Sequence, residues 1–356
     1  MKKFTLISVL AVAALAMLSV SCINRDYDTE DAKVTVDVPV NKTSELPPQT
    51  FLGMDDNQAV TPDDNGDLHY GSASETVTST AEPGQPVSFE SDLKVDMTDA
   101  PDVIKKSSGG VLTDPAVKLN IANPSSTPMY FSGKLSVDGS TPVLLPSVEI
   151  PAEKVVDLLF TPDISSPAEP ADLFAPLPAD LKSLLEKGMD QGMVLSDVTL
   201  TPKEGAKTSG MIKKADAPSQ YSVSCQFVSP LSFVSGSVIN ISQTFSDLGF
   251  DLDKYVTGKL EFDVKFSGTN FLPFEVDLNA VSEQSNLTGK LSQKIPAAQG
   301  PEGTPFEALF VVKTLSTKTI INDVKLNIEL KAMKTPSVLN IKEPFIITAE
   351  SVKVIK

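Results

Sequence analysis

Residues 260–266 read LEFDVKF, so every second residue of this stretch is apolar. Residues 274–278 read FEVDL and residues 324–330 read VKLNIEL, with the same alternation. An alternation of period two turns one face of a strand toward a core and the other toward water, which is typical of antiparallel sheets. These three stretches therefore predict an all-β fold.

The first half of the chain carries the same pattern in shorter runs, as in Val117, Leu119 and Ile121. Gly, Pro, Asn and Asp separate the runs, and the chain contains 27 prolines and 19 glycines. Short strands with frequent turn residues favour antiparallel β-sandwiches of the immunoglobulin-like type. A length of 356 residues favours two such domains, and we place them in tandem at residues 85–215 and 216–356.

A weak internal repeat supports two related domains. Residues 195–200 read LSDVTL and residues 321–326 read INDVKL, while residues 119–121 and 264–266 both begin a strand–turn–proline–strand sequence. The two offsets differ by about twenty residues, which predicts an insertion in the first copy. Residues 178–188 fit a short helix with a proline at its start and a glycine at its end. Coincidence among short strand patterns is the alternative.

Residues 22–84 have the composition of a flexible acidic tether. Residues 23–100 contain 17 Asp and Glu against four Lys and Arg, and the tether is rich in Ser, Thr, Pro and Gly. Such a composition cannot bury enough apolar surface to fold alone. The exception is the alternation of Val34, Val36, Val38 and Val40, which predicts a strand that either pairs with a later domain or stays extended.

The first 21 residues have the order of a secretory signal peptide. Lys2 and Lys3 precede an apolar run that ends at Ser19-Val20-Ser21-Cys22, and polar residues follow. A buried core helix is the alternative. The small residues followed at once by cysteine resemble the lipobox of bacterial lipoproteins, in the looser form found in Bacteroidota, with Ser19 where an aliphatic residue is usual. The resemblance implies lipidation of Cys22 with acyl chains such as palmitate, and several chains suffice for stable anchoring.

An acidic cluster follows the cysteine at Asp26, Asp28, Glu30 and Asp31. It resembles the signal that directs Bacteroidota lipoproteins to the cell surface, so we expect an outer-membrane, surface-exposed protein. An ordinary solvated tether is the alternative.

Charge and cysteine content exclude several functions. The net charge of −16 argues against binding to nucleic acid or to an anionic membrane surface, both of which need patches of Lys and Arg. Acylation of Cys22 would leave Cys225 without an intrachain partner. Because Cys225 alternates with apolar residues, we expect a buried, inert thiol rather than a link to a second chain.

Catalytic motifs are missing from the sequence. The only histidine is His69, which lies in the predicted tether, so a serine or cysteine triad and a zinc site are both disfavoured. A pair of carboxylates could serve a glycosidase, but the absence of tryptophan argues against stacking of sugar rings. We therefore expect a protein that is not an enzyme and needs no cofactor.

Residues 63–67 read DDNGD and form a weak calcium-loop candidate, with oxygen ligands at Asp63, Asn65 and Asp67. The loop lacks the glycine and the glutamate that an EF-hand has at its sixth and twelfth positions, where this chain has Leu68 and Ser74. A plain tight turn is the alternative reading of the Asn-Gly pair.

The sequence thus predicts a non-enzymatic cell-envelope lipoprotein whose β-sandwich domains bind or scaffold a protein, such as an outer-membrane transporter. The alternative is a glycan-binding accessory of a polysaccharide-uptake system, and a carboxylate-dependent hydrolase is a third hypothesis. An exposed row of aromatic residues would favour the glycan function, and two facing carboxylates in a deep cleft would favour the hydrolase.

Overall fold

The structure is a computed structural model that describes most of the chain after residue 34. The described residues are 35–54, 57–82, 85–167, 169–203, 219–245, 250–251, 261–281, 287–314, 320–321 and 324–355. The predicted signal peptide and Cys22 lie outside these residues. None of the helices in the described ranges is long and apolar enough to cross a membrane.

The described residues begin with a strand and one short helix, β1 (Thr35–Leu46) and α1 (Pro48–Phe51). Between this helix and residue 235, the described ranges contain fourteen strands, the helix α2 and two 3-10 turns. They are β2 (Val60–Pro62), β3 (Leu68–Ala73), β4 (Val77–Ala81), β5 (Val87–Ser88), β6 (Leu93–Asp96), the 3-10 turns Asp102–Ile104 and Lys106–Ser108, β7 (Ala116–Asn123), β8 (Met129–Val137), β9 (Val143–Leu144), β10 (Val148–Ile150), β11 (Lys154–Thr161), β12 (Leu173–Pro176), α2 (Ala179–Leu185), β13 (Gly192–Pro202), β14 (Ser219–Pro230) and β15 (Ser232–Phe233).

The part of the chain that the structure describes after residue 235 contains ten more strands. They are β16 (Val238–Phe245), β17 (Phe250–Asp251), β18 (Glu261–Asn270), β19 (Phe274–Val281), β20 (Leu287–Ile295), β21 (Thr304–Thr314), β22 (Ile320–Ile321), β23 (Val324–Ala332), β24 (Ser337–Val338) and β25 (Phe345–Ile355). The prediction of an all-β fold built from antiparallel sheets is confirmed.

The chain forms two compact units, and one is inserted into the sequence of the other. The inserted unit comprises residues 57–234, and the split unit comprises residues 1–56 and 235–356. This differs from the tandem boundaries 85–215 and 216–356 that we predicted. The boundary moves because β14 completes the sheet of the inserted unit by pairing with β7.

The prediction of a flexible tether over residues 22–84 needs correction for residues 35–54 and 57–82, and the rest of that range lies outside the described residues. β1 pairs along its length with β25, and β3 and β4 both pair with β14. Leu46, Leu68 and Tyr70 are buried and anchor these strands. Composition was misleading because an edge strand needs only one apolar face, and its polar face dilutes the apolar content. The alternative that the valine alternation pairs with a later domain is confirmed.

The two units pair equivalent strands in the same chain order. Six pairings of the inserted unit have a counterpart in the split unit: β3 and β4 with β14 as β1 with β25, β14 with β7 as β25 with β18, β7 with β11 as β18 with β21, β5 and β6 with β13 as β16 with β23, β13 with β8 as β23 with β19, and β8 with β10 as β19 with β20. The internal repeat that the sequence predicts is therefore confirmed by topology.

The insertion in the first copy is also confirmed. It contains β12 and α2, and Pro178 stands at the N-cap of α2. Leu181 and Leu185 are fully buried on one face of the helix. Gly188 adopts a φ of 75° just beyond the helix, a conformation that favours glycine.

The ends of the two sheets differ between the units. In the split unit β20 pairs with both β19 and β21, so eight strands join into one continuous sheet. In the inserted unit β12, which belongs to the insertion, pairs in parallel with β11 and occupies that edge instead. The described pairings of the inserted unit therefore leave two separate sheets.

Among the described residues, each unit buries one asparagine at the same corner. Asn123 and Asn270 are completely buried, and each is the last residue of its strand. Each side-chain amide donates to the carbonyl oxygen four residues later and to the carbonyl of a distant proline, Pro151 at 3.0 Å and Pro296 at 2.8 Å. These hydrogen bonds join one strand end to the turn that follows and to a second hairpin, which explains why a polar side chain is kept in the core.

Candidate functional site

A shallow depression of about 260 Å³ lies on the outward face of the split unit. It is formed by three neighbouring strands, β16, β23 and β19. The residues that line it are Asn240, Ile241, Ser242, Asn279, Asn327, Ile328 and Glu329.

Strand alternation explains why polar side chains line this depression. Ile239, Ile241, Ile328, Leu330 and Leu278 are buried, and they point from the three strands into the core. The residues between them must therefore point outward. Because the side chains of Ile241 and Ile328 are buried, these two residues contribute backbone to the floor of the depression.

Strand register arranges the outward residues in two rows of three. Ser242 lies opposite Asn327, which lies opposite Asn279. Asn240 lies opposite Glu329, which lies opposite Asp277. Adjacent strands are about 4.8 Å apart, so the members of one row are direct neighbours.

Two hydrogen bonds orient the amide groups. The hydroxyl of Ser242 donates to Oδ1 of Asn327 at 2.9 Å, which leaves the amide nitrogen of Asn327 as a donor. The amide of Asn279 donates to Oδ1 of Asp277 at 3.2 Å, which leaves its own carbonyl oxygen as an acceptor. Among the described residues the carboxylate of Glu329 has neither a hydrogen bond nor an ion pair. The depression therefore offers both donors and acceptors.

The lining of the depression contains no positively charged side chain. No Lys or Arg is among its lining residues, and Glu329 is its one ionisable side chain. Two lysines lie beside the second row: the Nζ of Lys294 is 4.0 Å from Oδ2 of Asp277, and the exposed Lys331 is the next outward residue after Glu329 on β23. Within the lining itself, an anionic ligand would meet the carboxylate of Glu329 and no cation.

The counterpart face of the inserted unit has different chemistry. There the strands equivalent to β16, β23 and β19 are β5 with β6, β13 and β8, and they present Ser132, Lys134, Ser136 and Thr199. Lys134 forms a 2.8 Å ion pair with Asp197. This face carries hydroxyl groups and a lysine where the split unit carries amides.

His69 lies on β3 beside two carboxylates. Its Nδ1 is 2.8 Å from Oε1 of Glu169, and its Nε2 is 4.0 Å from Oδ2 of Asp63. The hydrogen bond to Glu169 raises the pKa of His69, the charges of Glu169, Asp63 and Asp67 raise it further, and burial opposes them. The hydrogen bond between His69 and Glu169 links the segment after β11 to β3. Ala171 of the same segment also packs on a small cluster of Ala116, Leu159 and Val228.

The weak calcium-loop candidate is the turn between β2 and β3. Oδ1 of Asp63 accepts hydrogen bonds from the backbone amides of Asn65 and Asp67, at 2.9 and 2.8 Å. These hydrogen bonds lower the pKa of Asp63 although burial opposes them. The carboxylate thus closes the turn itself. Calcium binding here stays a prediction, and calorimetry with calcium would check it.

Metal and thiol chemistry receive little support from the described residues. Within the described ranges, no group of three or more His, Cys, Asp or Glu could hold a metal ion. Cys225 is buried, and burial raises the pKa of its thiol to about 12. The prediction that Cys225 is buried is therefore confirmed, and its raised pKa agrees with the prediction of an inert thiol. Cys22, the predicted lipidation site, lies outside the described residues.

Sequence analysis missed the residues of the depression. None of Asn240, Asn279, Asn327 and Glu329 belongs to a local motif, because the site assembles across three strands that are distant in sequence. A usable signal was present on the polar parity of the strands. Each contributes Asn, Ser, Asp or Glu at two successive outward positions without an intervening lysine.

No protein-family model matches the chain, and no functionally curated protein matches its sequence. The fold is similar to that of a protein from Parabacteroides distasonis that has been assigned as secreted. The TM-score is 0.50 at 12% identity, over 91% of this chain and 99% of that chain. At this identity the likeness concerns the fold alone.

Two other solved structures match with much lower scores. The PBSX exported protein XepA has a TM-score of 0.20 at 11% identity, over 83% of this chain and 93% of that chain. The infectious bursal disease virus structure (Gx strain) has a TM-score of 0.17 at 12% identity, over 83% of this chain and 74% of that chain. Scores this low carry no conclusion about the present fold.

Proposed function

We propose that the protein is a non-enzymatic lipoprotein of the outer membrane, exposed at the cell surface, that presents its two β-units to a protein partner. The sequence Ser19-Val20-Ser21-Cys22 after an apolar run is the observation that carries this proposal. The Parabacteroides protein of similar fold has been assigned as secreted, which agrees with export of this chain.

The position of β1 makes the proposed anchor short. Twelve residues separate Cys22 from Thr35, where β1 begins. Even when fully extended, twelve residues span at most about 40 Å. A lipidated Cys22 would therefore hold the split unit close to the membrane, within reach of an outer-membrane protein partner.

The chemistry of the described residues supports binding rather than catalysis. His69 is bonded to Glu169 and fastens a surface segment, and Cys225 is buried with a raised pKa. Neither offers the exposed nucleophile with an adjacent base that covalent catalysis needs. The described depression is shallow and has one carboxylate in its lining, whereas a glycosidase needs a pair.

A second function, glycan recognition, is favoured by one specific observation. The depression on the split unit is lined by three asparagines, one serine and one glutamate. Such side chains are the natural partners of hydroxyl groups, which both donate and accept hydrogen bonds. The function would then be that of a glycan-binding accessory lipoprotein.

Metabolic labelling with palmitate tests the anchor. We expect labelled protein in cells that produce the natural chain or the matched control Cys225→Ala, and no label in Cys22→Ala. Continued labelling of Cys22→Ala would overturn the lipidation proposal. Surface exposure is tested separately, because protease added to intact cells should cut the anchored protein.

Cross-linking on intact cells, followed by mass spectrometry, tests the protein partner. We expect one outer-membrane protein to be recovered repeatedly with the natural chain and lost with Cys22→Ala, which would no longer be held at the membrane. Recovery of self-links alone would contradict the proposal of a protein partner.

A further inference from the structure

We propose that the depression formed by Asn240, Ser242, Asn279, Asn327 and Glu329 binds an uncharged, hydroxyl-rich ligand, namely a neutral glycan segment. This inference rests on the second proposed function and names its site and its ligand class.

The hydrogen-bonding capacity of the depression matches a hydroxyl group better than a purely donating or purely accepting group. The amide nitrogen of Asn327 is left as a donor by the bond from Ser242, and the carbonyl oxygen of Asn279 is left as an acceptor by its bond to Asp277. The carboxylate of Glu329, in the middle of the second row, is a second acceptor. A sugar hydroxyl that donates to one of these acceptors can also accept from Asn327.

The charge of the depression disfavours the other small-ligand classes. A phosphate, sulfate or carboxylate would be desolvated next to Glu329 with no lysine or arginine in the lining. An apolar ligand would cover amide groups without replacing the hydrogen bonds that those groups make with water. A neutral polyol avoids both costs.

The shape of the depression fits a glycan segment bound in the open. A volume of about 260 Å³ is below the range of about 300–1,000 Å³ that encloses a drug-sized ligand, so one or two sugar rings would be seated and the rest of a chain would continue over the rim. No tryptophan is present in the chain to stack on a ring. We therefore expect weak binding, with a Kd on the order of 1 mM.

The test uses the full mature chain carrying Cys22→Ala, so that the protein is soluble without lipid. A panel of neutral oligosaccharides and a panel of sulfated or uronic-acid oligosaccharides are titrated separately, and the side-chain amide resonances of the asparagines are followed by NMR. We expect a neutral member to shift the amide signals of Asn240, Asn279 and Asn327. The anionic panel should leave these signals unchanged.

Two variants and a matched control locate the site. Asn327→Ala and Asn279→Ala should each weaken binding of the neutral oligosaccharide by about fivefold or more, because each removes a hydrogen bond to the ligand. Ser132→Ala, on the counterpart face of the inserted unit, should change the affinity by less than about twofold. Glu329→Gln keeps an acceptor and removes the charge, so it should weaken a neutral ligand less than Asn327→Ala does.

The proposal is overturned by binding of no neutral oligosaccharide, by equal effects of Ser132→Ala and Asn327→Ala, or by preference for the anionic panel. A larger loss with Glu329→Gln than with Asn327→Ala would indicate a cationic ligand instead. These failures are distinguishable from failure of the proposed envelope function, because palmitate labelling and cross-linking do not depend on the depression.

Discussion

Where the inserted unit places Ile121 opposite Val156, the split unit places Gly268 opposite Phe306. The two positions are equivalent, since each lies two residues before the buried asparagine of its unit. In the split unit the ring of Phe306 fills the space over the glycine, and it stacks on Phe345 with centroids 5.0 Å apart. Two different side-chain pairs thus fill the same place in one topology, which shows that the pairing order constrains the units more tightly than the identity of core residues does.

The outward faces differ more than the cores do. Both units present polar residues there, because strand alternation requires it. In the split unit those residues are amides and carboxylates around a depression, whereas in the inserted unit they include Lys134, paired with Asp197. Packing restricts which residues can occupy the core, whereas outward residues are less restricted and can differ with function. The split unit is therefore the one for which we propose a ligand.

The largest expected effect breaks the core of one unit. A Cβ at Gly268 would lie 2.6 Å from the ring of Phe306 and would overlap the backbone oxygen of Ile346. Gly268→Ala should lower the free energy of unfolding of the split unit by at least about 3 kcal/mol. Gly300→Ala, where a Cβ meets nothing within 4 Å, is the matched control and should be nearly neutral.

Urea unfolding compares the two glycine variants. In the Cys22→Ala background Cys225 is the remaining thiol, so its alkylation reports opening of the inserted unit separately. Equal stability of Gly268→Ala and Gly300→Ala would show that the close packing of Phe306 on Gly268 does not constrain the fold.

The next effect tests whether the buried asparagines Asn123 and Asn270 stabilise their two units equally. Asn123→Ala and Asn270→Ala should each cost about 2 kcal/mol, because each removes the buried hydrogen bonds that join the end of its strand to the following turn and to Pro151 or Pro296. Asn327→Ala, an exposed asparagine, should cost less than about 0.5 kcal/mol. Urea midpoints of the three variants provide the comparison, and a large cost for only one of the buried asparagines would contradict equivalence of the corners.

The smallest effect concerns pH and belongs to the inserted unit, which contains the only histidine. Because the pKa of His69 is raised above its ordinary value of 6.5, its pairing with Glu169 stabilises the folded state below that value. This stabilisation is lost as pH rises through the raised pKa. The effect should be below about 1 kcal/mol because the pair is partly exposed.

Glu169→Gln provides the control for the pH effect. Between about pH 6 and about pH 8, the natural chain should lose more stability than the variant does. The two urea midpoints should approach each other as pH rises through the raised pKa of His69. A pH dependence that Glu169→Gln leaves unchanged would assign the effect to other groups.

Local patterns were enough to predict several features of the molecule. The alternation at residues 260–266 and 324–330 predicted strands, the valine run predicted β1, and the proline and glycine at residues 178–188 bounded α2. The repeat between residues 195–200 and 321–326 predicted two related units. The strands and the helix each depend on neighbours within about ten residues, and the repeat depends on the likeness of two short segments, all of which a single sequence displays directly.

Boundaries and the candidate site could not be predicted in the same way. Residues 57–82 have the composition of a tether, yet β3 and β4 are strands because β14, more than 130 residues later, supplies their hydrogen-bonding partner. The depression likewise depends on register among three strands, which brings Asn240, Asn279 and Asn327 into neighbouring positions. Local composition does not identify which distant strand will pair with a given segment.

By itself, the sequence determined the all-β class, the repeat with its helical insertion, and the burial of Cys225, because each follows from the period of apolar residues along a strand or helix. Only the tertiary structure decided that one unit is inserted into the other, that His69 meets Glu169, and that three distant asparagines share one face. The physical reason is that strand pairing brings together residues from remote parts of the chain, and its register determines which side chains become neighbours.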